Sequence, residues 1–97
     1  MASTHLITFT FRIDKEESVQ FIETIRELRT LWETNHIKTM LFRDSGEPDK
    51  LMLLLITEED VNLVTRMIQD EPGTRAVFHK IRDTHSRVLV SYMEQVV

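Results

Sequence analysis

The side chains of this chain best suited to hold a metal or move a proton near neutral pH are its four histidines, His5, His36, His79 and His85. His5, His36 and His85 have no helical partner four residues away and no acid pair nearby, so they lack the spacing that gathers metal ligands. His79 stands among Lys80 and Arg82, where an imidazole is commonly a solvated surface group. With no cysteine there is no thiol nucleophile, no thiolate metal site and no disulfide framework. The acidic run Glu58-Glu59-Asp60 follows Thr57 at the start of a helical pattern, where negative charge complements the positive end of the helix dipole. Trp32 and Asn35 fall at the end of an apolar helical stripe, where core packing and a C-terminal cap account for them. Thr8, Thr10, Arg12 and Tyr92 are read as alternating with strand residues assigned to a helix-covered core, which makes them candidates for a ligand-lined lumen. No pair of these residues forms an acid–base or nucleophile constellation that dictates a reaction.

The elements that must position these residues follow from hydrophobic period. Ile7, Phe9, Phe11 and Ile13 alternate with Thr8, Thr10 and Arg12, which predicts a strand over about residues 5 to 13. Phe21, Ile25, Leu28 and Trp32, widened by Ile22 and Leu31, then predict a helix to about Glu33 with Glu16, Glu23, Glu27 and Thr30 opposite. Asp14 and Glu17 read as its capping box. A second strand spans Ile37 to Arg43, and Asp44 to Asp49 supplies hairpin turn residues before a third strand, Leu51 to Ile56. Thr57 is expected to cap a second helix marked by Val61, Val64 and Ile68, which ends near Asp70 because Pro72 and Gly73 follow. A short third helix is expected over Thr74 to Asp83, with Val77, Phe78 and Ile81 on one face. Asp83 to Ser86 reads as a loop and Arg87 to Val96 as a closing strand.

Ninety-seven residues suit a single domain with one modest core, residues 1–97. An apolar fraction of 41% and a charged fraction of 29% are those of an ordinary globular chain, and two Gly with two Pro argue against long linkers. A net charge of −4, with Lys and Arg dispersed among acids, opposes nucleic-acid binding. No secretory leader or membrane-length apolar run is evident, so a cytoplasmic protein without a membrane partner is expected.

The order βαββαβ with right-handed crossovers gives a four-stranded antiparallel sheet with both main helices on one face. The other face would be bare, yet Leu51 to Ile56 supplies apolar groups to both faces of the third strand. Met40 with Phe42, and Val90 with Tyr92, add more than one helical layer requires. A continuous exposed patch of this kind marks association, and homodimerisation through the sheet faces is the expected consequence.

Several functions of this topology are excluded by missing residues. The third strand lacks the aromatic stacking platform of an RNA-recognition domain. The segment Arg12-Ile13-Asp14-Lys15-Glu16 lacks the glycine loop of an acylphosphatase, and paired cysteines of metal carriers are absent. The chain does resemble the dimeric α/β-barrel superfamily of antibiotic-biosynthesis monooxygenase-like proteins, muconolactone isomerases and haem-degrading monooxygenases. The carriers are Met40-Leu-Phe-Arg-Asp-Ser-Gly-Glu-Pro-Asp-Lys-Leu, the apolar third strand, Ala76-Val77-Phe78-His79-Lys80-Ile81 and the terminal strand Val88 to Val96. The resemblance implies an α+β, ferredoxin-like dimeric barrel. It also implies a cofactor-independent oxygenase or isomerase acting on a small aromatic or polyketide-like molecule, with non-catalytic ligand binding or protein interaction as the alternative. His79 corresponds to the iron-ligating histidine of the haem-degrading branch. That branch also carries an asparagine on the first strand and a tryptophan on the second helix, where this chain offers Thr8, Thr10 and Met67, so no haem and no other cofactor is expected. The ligand is expected between the open sheet face and the short helix, near Thr8, Thr10, Arg12, Phe42, His79 and Tyr92, with Met40, Met67 and Phe78 close by.

Overall fold

The structure, a computed structural model, describes residues 3–83 and 87–97. Strand β1 (His5–Arg12) buries Ile7, Phe9 and Phe11, as its two-residue alternation requires. Helix α1 (Lys15–Thr34) buries Phe21, Ile25 and Trp32 along its apolar stripe. The expected capping box does not form. Asp14 is the N-cap residue, but its carboxylate makes no capping hydrogen bond, and Glu17 instead reaches Lys80 Nζ at 3.4 Å. The exposed amides of the first turn can be solvated by water, while the opposite charge on a neighbouring helix draws Glu17 away. At the other end Asn35 is the cap as expected, with its Nδ2 donating to the Leu31 carbonyl at 2.9 Å. His36 follows at φ 65°, a left-handed conformation that turns the chain into the next strand.

Strands β2 (Ile37–Arg43) and β3 (Lys50–Thr57) form the predicted hairpin. Asp44 Oδ1 accepts the amides of Gly46 at 2.8 Å and Glu47 at 3.0 Å, which shapes the turn and lowers the Asp44 pKa. Helices α2 (Val61–Asp70) and α3 (Pro72–Arg82) follow. The cap of α2 is Asp60, which accepts from the Asn62 amide, and not Thr57. Thr57 is still the last residue of β3. Its hydroxyl donates to the His36 carbonyl and accepts the Glu59 amide, tying the strand end to the turn. Helix α3 starts two residues before its predicted position because Glu71 caps it, and Pro72 loses nothing in a first turn whose N–H groups lack helical partners. Strand β4 (Leu89–Glu94) is shorter than expected, although the Gln95 amide still donates to the Thr4 carbonyl at 2.8 Å. Of the loop expected after Asp83, Thr84 to Ser86 lie outside the described residues, and His85 with them.

The four strands run antiparallel in the order β2-β3-β1-β4. All three helices contribute to a core on one face, where Ile7, Phe9, Phe11, Leu51, Leu53 and Leu55 meet Phe21, Ile25, Trp32, Val64, Val77 and Ile81. The molecule therefore has the ferredoxin-like α+β fold. Leu51, Leu53 and Leu55 are fully buried beneath the helices, whereas Met52, Leu54 and Ile56 on the other side of β3 are only partly covered. Within the single chain, then, only the helix-facing side of β3 is buried. The register also corrects the expected face of β4. Tyr92 pairs with Ile7 and Val90 with Phe9, so both project to the helix side, and Leu89, Ser91 and Met93 project to the open side.

Candidate functional site

Cross-strand register brings Thr8, Thr10, Arg12 and Phe42 to the open face of the sheet. Thr8, between its partners Leu54 and Ser91, is already buried in the single chain. Thr10 lies in a row with Met52, Phe42 and Leu89. Phe42 is 54% exposed and Met52 39% exposed, and Leu89 and Met93 are more than half exposed on the same side. Strands β2, β3 and β4 thus present large apolar side chains to the same open surface, and β1 places Thr8 and Thr10 between them.

Arg12 is differently employed. Its Nη1 donates to both carboxylate oxygens of Asp49 at 3.1 and 3.2 Å, and its Nη2 donates to Glu47 at 2.9 Å. Hydrogen bonds to Glu47 and Asp49 hold the guanidinium pKa above its ordinary value. Because the bidentate fork is already engaged, Arg12 clamps the β2–β3 hairpin onto the end of β1.

His79 and Tyr92 are not on this face. His79 projects to solvent from α3, its side chain 70% exposed, with Nε2 at 3.1 Å from Oδ2 of Asp83, the C-cap of that helix. Tyr92 is 69% exposed on the helix side of β4. The six expected site residues therefore do not converge on one cavity within the single chain, because a sheet separates Thr8, Thr10, Arg12 and Phe42 from the other two.

The helix side of β4 has its own geometry. Val90 is paired with Phe9, whose ring meets Phe78 edge-on at 4.9 Å, and Phe78 in turn lies 6.3 Å from Trp32. These aromatic contacts fill the space between α3 and the central strand. Among the described residues no comparable cover reaches β4, and Val90 and Tyr92 remain an exposed shelf beside them. A small open cleft of about 160 Å³ lies at its end, lined by Ile7, Val61 and Tyr92 among others. Sequence parity alone could not find this shelf, because apolar residues occupy both alternations of Val88 to Met93. The small polar pair Ser91 and Thr8, facing each other across β4 and β1, was the available signal for the register. Among the described residues, no three His, Cys, Asp or Glu side chains are grouped to hold a metal ion, and no helix is long and apolar enough to cross a membrane.

This fold and surface define a class: ferredoxin-like α+β chains with one sheet face left open. No protein-family model matches the chain, and no curated protein is similar to it in sequence. Solved structures share its fold over nearly the full length. A "putative antibiotic biosynthesis monooxygenase" from Nitrosomonas europaea superposes with a TM-score of 0.78 at 6% identity, covering 99% of this chain and 93% of that one. Another protein so named, from Caulobacter crescentus, gives a TM-score of 0.78 at 11% identity, with coverage of 99% and 92%. A conserved protein of unknown function from Bacteroides thetaiotaomicron, described as a "possible oxidoreductase", gives 0.75 at 13% identity, with coverage of 98% and 100%. At these identities the likeness is one of fold.

Proposed function

We propose that residues 1–97 act as one domain that dimerises through the open sheet face and binds a small aromatic or polyketide-like molecule, with monooxygenase-like activity that needs no metal or cofactor. The observation that carries this reading is that, among the described residues, β4 stays uncovered on both faces. Outward, Leu89 and Met93 extend the apolar surface formed by Phe42 and Met52; burying such a surface against a second copy is favourable in proportion to its area. Inward, Val90 and Tyr92 offer an apolar shelf with one phenolic hydroxyl, the kind of lining that binds flat, weakly polar molecules. In the dimer Thr10 and Phe42 belong to the seam, and Arg12 holds the hairpin bordering it. The names of the two monooxygenase-like neighbours support the choice of reaction. In such a reaction the substrate supplies the electrons: one atom of O₂ enters the substrate and the other leaves as water.

Dithranol, a polycyclic phenolic compound that O₂ oxidises, is a suitable probe. The expected result is protein-dependent oxygen uptake that falls when Tyr92→Ala removes the phenol. Uptake equal to the protein-free rate would overturn the oxygenase reading. The second reading, a non-catalytic binding module, is favoured by one observation: the acid–base pair nearest the shelf in sequence, His79 with Asp83, is turned to solvent. Saturable dithranol binding without oxygen uptake would select it.

A further inference from the structure

On the opposite edge of the sheet from β4, an open cleft of about 310 Å³ runs between α1 and β2. We propose that this cleft binds an amphipathic anion, with an apolar chain lying over Ile22, Ile25 and Leu41 and an acidic head group among Arg26, Arg29 and Arg43. Ile22, Ile25, Arg26 and Arg29 recur at i, i+3, i+4 and i+7, so one helix face carries both the apolar floor and two of the cations. Arg43 lies across from them on β2, and all three arginines line the cleft with Leu41.

The charge arrangement selects the occupant. The chain as a whole is acidic, at −4, yet the cleft is lined by three guanidinium groups and no carboxylate. Arg26 pairs with Glu23, and Arg29 with Glu33 at 2.9 Å, but both partners lie on the exposed surface of α1 outside the cleft lining. Exposed pairs of this kind are weak and exchange readily for a better partner. Arg43 makes no ion pair among the described residues. A planar guanidinium fork favours carboxylate or phosphate oxygens, and the cleft volume lies at the lower end of the range for small-molecule sites, about 300 to 1,000 Å³. A neutral apolar ligand would leave the arginines without a function, and a small inorganic anion would leave the isoleucine floor without one.

Sodium decanoate below its micelle concentration tests the proposal by titration calorimetry, with methyl shifts of Ile22 and Leu41 followed by NMR. Saturable binding of one decanoate per chain is expected, with shifts at those methyls. Arg43→Gln, and Arg26→Gln with Arg29→Gln, should each weaken it about tenfold, as loss of charge-assisted contacts implies. Arg66→Gln on α2 should leave it unchanged, and 1-decanol should bind much more weakly. All these changes are at exposed positions, and circular dichroism verifies the fold of each variant. Absence of saturable binding would overturn the proposal, as would equal weakening by Arg66→Gln. Loss of binding through Tyr92→Ala instead would move decanoate to the β4 shelf and overturn the cleft assignment.

Discussion

At the scale of single residues, a chain of hydrogen bonds links Trp32 through Thr74 to Glu71. The indole Nε1 donates to Thr74 Oγ1 at 2.7 Å, with both side chains buried. The hydroxyl and amide of Thr74 also hydrogen-bond to the Glu71 carboxylate that caps α3. Thr74→Val keeps the shape and removes the acceptor, leaving a buried indole N–H unsatisfied. A loss of about 1–3 kcal/mol is expected in urea unfolding, and Thr74→Ser should restore most of it. The same contacts make stability depend on pH. Hydrogen bonds from Thr74 and then Gly73 lower the Glu71 pKa below its ordinary 4.5, and those from Gly46 and Glu47 lower that of Asp44 below 3.8. A carboxylate lowered by folding stabilises the native state fully above its unfolded value, and that contribution is lost as pH falls through the folded value. Urea midpoints should therefore be flat at neutral pH and decline in acid below 4.5 for Glu71 and below 3.8 for Asp44. Glu71→Gln should lower the neutral midpoint and reduce the acid slope; an unchanged slope would show that the cap does not couple to pH.

At the scale of elements, β3 shows how far hydrophobic period can be read. The continuous run Leu51 to Ile56 announced a strand with apolar groups on both faces, and antiparallel pairing with β2 followed from the turn residues between them. The three residues under the helices, Leu51, Leu53 and Leu55, are fully enclosed. Leu53→Ala should cost about 2–5 kcal/mol in denaturant unfolding, because the surrounding core cannot collapse fully into the space left. The extent of α1, the end of α2 and the β2–β3 hairpin were equally legible, each having both a periodic stripe and a terminating signal. Caps were less so. Asp14 and Thr57 had the right residue types, but Glu17 was drawn to a lysine far along the chain, and Asp60 lay nearer the first turn of α2. The site was least legible, because Val88 to Met93 carries apolar side chains at both parities and only pairing with β1 decides which face Tyr92 joins.

At the scale of the whole molecule, the apolar surface on the open sheet face is where the proposed dimer is tested separately from folding. Leu54 sits near its centre, opposite Thr8 and Met40. Leu54→Glu should leave the helical signal of the protomer intact while sedimentation equilibrium shifts from dimer to monomer, since a charge buried in the seam has no partner. A wild-type chain sedimenting as a monomer at micromolar concentration would remove the dimer from the proposed function. The order of the strands carries a further consequence, for the time in which the molecule is made. Strand β1 lies between β3 and β4, and Leu6 of β1 pairs with Met93 of β4, which is made after all the other strands described. The β1–β4 pairing joins the strands farthest apart in sequence, so the edge of β1 that faces β4 is the last to be satisfied. Until Leu89 to Glu94 arrives, the nascent chain displays an unpaired apolar strand edge, and crowding by sister chains threatens it most in that interval.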